Sequence, residues 1–101
     1  MTQITFERSG GILGRKVSLR LDLESLPADQ STALQQSLDE ADFFNLPENM
    51  ISSPVPDEFT YTITIQEAAK QHTVRLSDTS ATEALRPLLQ NLSRRARASR
   101  A

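Results

Sequence analysis

The chain has 101 residues, 38% hydrophobic and 24% charged, the size and balance of one small domain with a single core. It has no cysteine, which excludes disulfide scaffolds, thiolate metal sites and thiol nucleophiles, and its longest apolar runs are two residues, too short for a membrane-spanning helix. The net charge of −2 conceals a segregation: ten acids and no Lys or Arg lie between Leu21 and Ala69, while the flanking segments hold eleven bases against Glu7, Asp78 and Glu83.

At the N-terminus, Ile4, Phe6 and Arg8 alternate with Thr5 and Glu7, the period of a strand. Ser9-Gly10-Gly11-Ile12-Leu13-Gly14 breaks that period and holds all three glycines of the chain, as a turn needing positive φ or a close backbone approach would. Val17, Leu19, Leu21 and Leu23 alternate with Ser18, Arg20 and Asp22 in a second strand, so the two form a hairpin with more than a two-residue loop. Pro27 suits a first helical turn, and Leu34, Leu38 and Ala41 predict a helix from about Pro27 to Asp42. Phe43 to Glu58, with Pro47, Pro54 and Pro56, fits no period and reads as a long loop.

Phe59, Tyr61, Ile63 and Ile65 alternate with threonines and Gln66 in a third strand, and His72, Val74 and Leu76 mark a fourth after a turn at Glu67–Lys70. Ser80-Ala81-Thr82-Glu83 spells a capping box ahead of a second helix with Leu85, Leu88, Leu89, Leu92 and Ala96 on one face. Pro87 inside it predicts a distorted first turn or a start near Arg86. The order is ββαββα, and a shift of 55 residues superposes Arg20-Leu21 on Arg75-Leu76 and Leu34-Gln35 on Leu89-Gln90. Each strand has one apolar and one polar face, so the expected fold is a two-layer α+β domain over residues 1–101. It has a four-stranded antiparallel or mixed sheet, two helices packed on one face, and a flexible basic tail at about 97–101.

The functional chemistry is sparse. There is one histidine, His72, in the apolar phase of its strand, where a half-buried, hydrogen-bonded ring is the plain reading. No Ser-His-Asp set, His-Glu-x-x-His, Gly-x-Gly-x-x-Gly or Walker loop is present, so the chain is not expected to be an enzyme, to hold a cofactor or to bind a metal of its own. Arg94, Arg95, Arg97 and Arg100 suggest a contact with nucleic acid. No aromatics interleave them and the domain is slightly acidic, so they read better as a solvated helix end beside the negative pole of its dipole. No basic region followed by an apolar stretch opens the sequence, so a cytoplasmic location is expected.

Phe6-Glu7-Arg8-Ser9-Gly10-Gly11, Gly14, Asp22, Leu26-Pro27, Ala41-Asp42-Phe43-Phe44-Asn45-Leu46-Pro47, Asp57, Phe59, Tyr61, His72-Thr73-Val74 and Leu85-Arg86-Pro87-Leu88-Leu89 together resemble emfourin-like proteins. The resemblance covers nearly the whole chain, through the order and spacing of these motifs. It implies a small bacterial inhibitor of protealysin-like metalloproteases of the thermolysin family, acting by protein–protein interaction. Such a protease has a catalytic zinc and a subsite for a large apolar side chain. An inhibitor can offer the zinc a carboxylate and the subsite an apolar residue.

Alternating the strands through the chain places the glycine hairpin, the proline-rich loop and Asp78 at one end of the sheet. On that placement the protease-binding residues are Gly10, Gly11, Ile12, Leu13, Gly14, Pro56 and Asp57. Ile12 and Leu13 are apolar on a polar tip, which suits the subsite, although they could also fold back onto the core. Asp57 is the first choice to approach the protease zinc, since Pro54 and Pro56 limit the freedom of its loop. Asp78 and Glu48 are alternatives, Asp78 also reading as a residue just before the second helix. Phe43 and Phe44 read as core. The expected partner is a thermolysin-like protease and the expected state a monomer. The rival readings are a non-inhibitory module docking through the sheet and a nucleic-acid contact through the terminal arginines.

Overall fold

The computed structural model describes residues 2–10, 16–51, 58–78 and 80–98. In chain order they form β1 (Thr2–Gly10), β2 (Val17–Asp22), a 3-10 turn (Leu23–Ser25), α1 (Ala28–Ala41), a second 3-10 turn (Phe43–Asn45), β3 (Phe59–Glu67), β4 (Lys70–Ser77) and α2 (Arg86–Ala98). The expected α+β order is observed, and every pairing in the sheet is antiparallel. The strand order is β2-β1-β3-β4, so the two hairpins join through their first strands. Ile4 sits between Leu21 and Ile65, Phe6 between Leu19 and Ile63, and Gly10 opposite Phe59.

This register puts every apolar residue of the strands on one face. Ile4, Phe6, Ile63, Ile65, Val74 and Leu76 are fully buried there against Leu34 of α1 and Leu88 and Leu92 of α2. Burial of each such side chain stabilises the fold by about 1.5–3 kcal/mol. The opposite face carries Thr5, Thr62, Thr64 and Thr73, and the hydroxyls of Thr64 and Thr73 meet across β3 and β4 at 2.9 Å.

α1 has Asp29 in its first turn, favourable toward the helix dipole, and ends at Asp42, whose left-handed backbone (φ 52°) lets its N–H reach the carbonyls of Leu38 and Asp39. Its path departs from the strict up-and-down expectation. The chain leaves α1 near the β3–β4 turn, where the Leu46 carbonyl lies 2.6 Å from His72 Nε2 and Phe43 packs edge-on against the same ring. It then climbs along the outer edge of β4, where Asn49 pairs in parallel with Arg75: Arg75 N–H donates to the Glu48 carbonyl and Met50 N–H to the Arg75 carbonyl, each at 2.8 Å. The segment after α1 is therefore packed on the domain over its first half. Phe43 is core, and Phe44, Leu46 and Met50 lie partly buried against it.

The capping box is not used as spelled. Ser80 Oγ accepts the Ser77 N–H at 2.7 Å and closes the turn after β4, while α2 begins only at Arg86 with Pro87 in its first turn. Proline is pre-organised for that position and lacks an N–H that would go unpaired, so it fixes the start. α2 extends to Ala98, taking in the first two residues of the expected tail; residues 99–101 lie outside the described part. Arg95 ties the helices together, donating to Asn91 at 2.7 Å and to Gln30 of α1 at 2.9 Å. That cation is engaged within the fold.

Candidate functional site

The end of the sheet where β1 stops and β3 begins is built around one close approach. Gly10 has φ +101°, and a Cβ at this position would lie 2.7 Å from the Glu58 carbonyl oxygen. Only glycine fits both the dihedral and the gap. Gly10 is paired with Phe59, so the chain departs into residues 11–15 directly beside the point where residues 52–57 deliver it back. Of the seven expected protease contacts, Gly10 is placed by the structure. Gly11, Ile12, Leu13, Gly14, Pro56 and Asp57 lie outside the described residues, as does Val55 of the loop.

The two alternative carboxylates are placed, and each differs from its expectation. Asp78 does not precede a helix; eight positions separate it from Arg86. Its Oδ1 accepts a 2.6 Å hydrogen bond from the Tyr61 hydroxyl. Tyr61 is 7% exposed, and burial first, then the neighbouring Asp78 carboxylate, push its phenol well above the ordinary value near 10. Glu48 sits not at the glycine end but part-way down the outer edge of β4, beside Arg75, which faces Thr62 three pairs below Gly10.

Beside the glycine end, between the sheet and α2, lies a pocket of about 460 Å³. Arg8 of β1, Phe59 and Tyr61 of β3, Asp78, and Arg86 and Leu89 of α2 line it. Arg8 continues the inward phase of Ile4 and Phe6, and its guanidinium stands 4.7 Å over the centre of the Phe59 ring. The Phe6 and Tyr61 rings stack behind it with centroids 5.9 Å apart. Sequence reasoning placed Arg8 in the strand alternation and in the motif that carries the family resemblance, and gave it no role of its own. The available signal was a charged residue at a core-facing position of a strand.

His72 is half-buried and hydrogen-bonded, as its phase implied, between Phe43 and Phe44. Among the described residues no group of three or more His, Cys, Asp or Glu side chains could hold a metal ion, and no helix is long and apolar enough to cross a membrane.

The family model described as Emfourin matches residues 6–93. Among solved structures, the emfourin of Serratia proteamaculans, described as an M4 family peptidase inhibitor, is 23% identical. Its alignment covers 83% of this chain and 81% of that one, with a TM-score of 0.45. The comparison with curated proteins finds no match.

Proposed function

Because this chain belongs to the Emfourin family, a family of protease inhibitors and not of enzymes, we propose that it inhibits a zinc metalloprotease of the thermolysin-like M4 class by filling its active-site cleft. The observation that carries this reading is the family match over residues 6–93, which spans both the glycine segment and the proline-rich one. The Gly10–Phe59 pairing supports their acting together, since it holds the bases of both segments side by side on a rigid sheet. The M4 target follows the description of the Serratia proteamaculans emfourin, carried to this chain as part of the proposal.

In this reading residues 10–14 enter the cleft. Ile12 and Leu13 occupy the protease's apolar subsite, and the flanking glycines let the backbone approach the cleft walls. Asp57 turns its carboxylate toward the protease zinc and takes the position of the water that would attack a peptide bond. Pro54 and Pro56 reduce the conformations open to that loop before binding, which lowers the ordering cost on association. The inhibitor contributes no metal. It acts as a monomer in the cytoplasm on a protease made in the same cell.

The test is residual activity of a protealysin-like and a thermolysin enzyme on a short peptide substrate, titrated with this protein and with Asp57→Ala. Stoichiometric loss of activity with the natural chain and much weaker inhibition by the variant is the expected result. Equal inhibition by both keeps the function and moves the zinc contact away from Asp57. No inhibition of either enzyme sinks the proposal.

A further inference from the structure

The pocket beside the glycine end has a chemistry that its role in the fold does not use. Arg8 and Arg86 both line it, and among the described residues neither guanidinium has a carboxylate within ion-pairing distance. The one carboxylate in the lining, Asp78, accepts the Tyr61 hydroxyl. Gln90 and Ser93 of α2 add a neutral amide and a hydroxyl to the same wall. Two forked cations face one lining acid, with Glu58 acting on Tyr61 from outside the lining, and the amide and hydroxyl add neutral donors, a wall whose forked cations can take a carboxylate. Phe59 and Leu89 supply apolar walls beside the cations, while Arg86 and Gln90 stand on the pocket's exposed side.

Arg86 is unfavourably placed for the helix alone. It opens α2, where a cation faces the positive pole of the dipole and an acid would be preferred. Arg8 is costly in a similar sense, since it takes an inward position on β1 that an apolar residue would fill with more stability. Position completes the argument. Arg8 precedes Gly10 by two residues, and Phe59, which also lines the pocket, is the strand partner of Gly10, so the pocket lies next to the end of the sheet that the inhibitor reading gives to the protease.

We propose that this pocket is a carboxylate-binding subsite that takes an aspartate or glutamate side chain of the docked protease, held between Arg8 and Arg86. The inference rests on the inhibitor reading above. It adds a second anchor outside the active-site cleft, one that fixes orientation and partner choice through charge.

The experiment has two arms. In the first, inhibition of a thermolysin-family protease is measured for the natural chain, Arg8→Gln, Arg86→Glu and Arg86→Lys, with the melting temperature of each. The expected result is that Arg8→Gln and Arg86→Glu each weaken inhibition by about tenfold or more, while Arg86→Lys recovers part of the loss. Arg86→Glu is the sharper variant: it improves the charge at the helix start, so its melting temperature holds or rises while inhibition falls. A merely structural arginine would move both together.

In the second arm, the free natural chain is titrated by NMR with N-acetylglutamate methylamide, with the glutamine analogue as control. Shifts at Arg8, Arg86 and Leu89 with the acid and not the amide are expected. Natural-strength inhibition by Arg8→Gln and Arg86→Glu overturns the subsite. A response to a peptide with a free C-terminal carboxylate, and none to the capped glutamate, overturns the side-chain assignment. Carboxylate binding by a chain that inhibits no thermolysin-family protease overturns the partner and the inhibitor reading, and leaves the pocket chemistry standing.

Discussion

The two hairpin connections of the sheet solve the same problem in opposite ways. β3 and β4 are joined by Ala68 and Ala69 alone, with Ala68 forced to φ 52°, and the chain places no glycine there. β1 and β2 are joined by eight residues between the last pair, Arg8 and Val17, and that stretch holds all three glycines. An alanine in the left-handed region costs about 1–2 kcal/mol, and the short turn carries that strain. What alanine cannot do is stand at Gly10, where a Cβ would meet the Glu58 carbonyl at 2.7 Å. The difference separates two reasons for glycine: unusual dihedrals can be strained into, whereas absent volume cannot.

Gly10→Ala is the sharpest way to break this comparison. It combines the dihedral with the clash, and should destabilise the fold by about 2–4 kcal/mol in urea unfolding. A loss within the range of the dihedral alone would show that β3 shifts easily and that the close approach is not a constraint. Next in size is Tyr61→Phe, which removes the bond to Asp78 and should cost about 1 kcal/mol near neutral pH.

The same residue gives a pH signature. Its phenol is raised in the folded state, so stability is fully present below about pH 10, where an unfolded tyrosine begins to ionise, and is lost as pH rises beyond that. Tyr61 is the only tyrosine of the chain, so tyrosinate absorbance reports it alone, and Tyr61→Phe should flatten the alkaline loss of stability relative to the natural chain. The smallest effect belongs to the short turn. Ala68→Gly relieves the left-handed strain at the cost of a freer unfolded chain and should stabilise by up to about 1 kcal/mol in the same unfolding assay.

The strands were legible because alternation is strict: Phe59, Tyr61, Ile63 and Ile65 point one way and the threonines between them the other. Alternation does not say which strands are neighbours, so the β1–β3 pairing that joins the hairpins required the structure. The route after α1 was misjudged for a related reason. Leu46 and His72 carry no sequence signal of their 2.6 Å contact, yet that contact brings the chain down to the β3–β4 turn before it climbs along β4. Ser80 misled because its hydroxyl can satisfy either a helix start or a turn, and here the Ser77 N–H takes it. At the site, the position of Gly10 at the end of β1 was legible in the sequence, and its close approach to the Glu58 carbonyl was not. The arginine pocket went unread because Arg86 joins Arg8 only through the packing of α2.

The bridge between Asn49 and Arg75 has a consequence for how copies of this chain can meet. An exposed strand edge is a template for another strand, and a sheet with two such edges can add neighbours without end. Here the chain lays its own backbone against part of β4, occupying both the N–H and the carbonyl of Arg75, and among the described residues no strand pairs with the outer edge of β2. Two copies joined edge to edge through β2 would expose only β4 edges that are already partly occupied. The bridge thus removes one pairing position from the β4 edge and makes strand addition there less favourable.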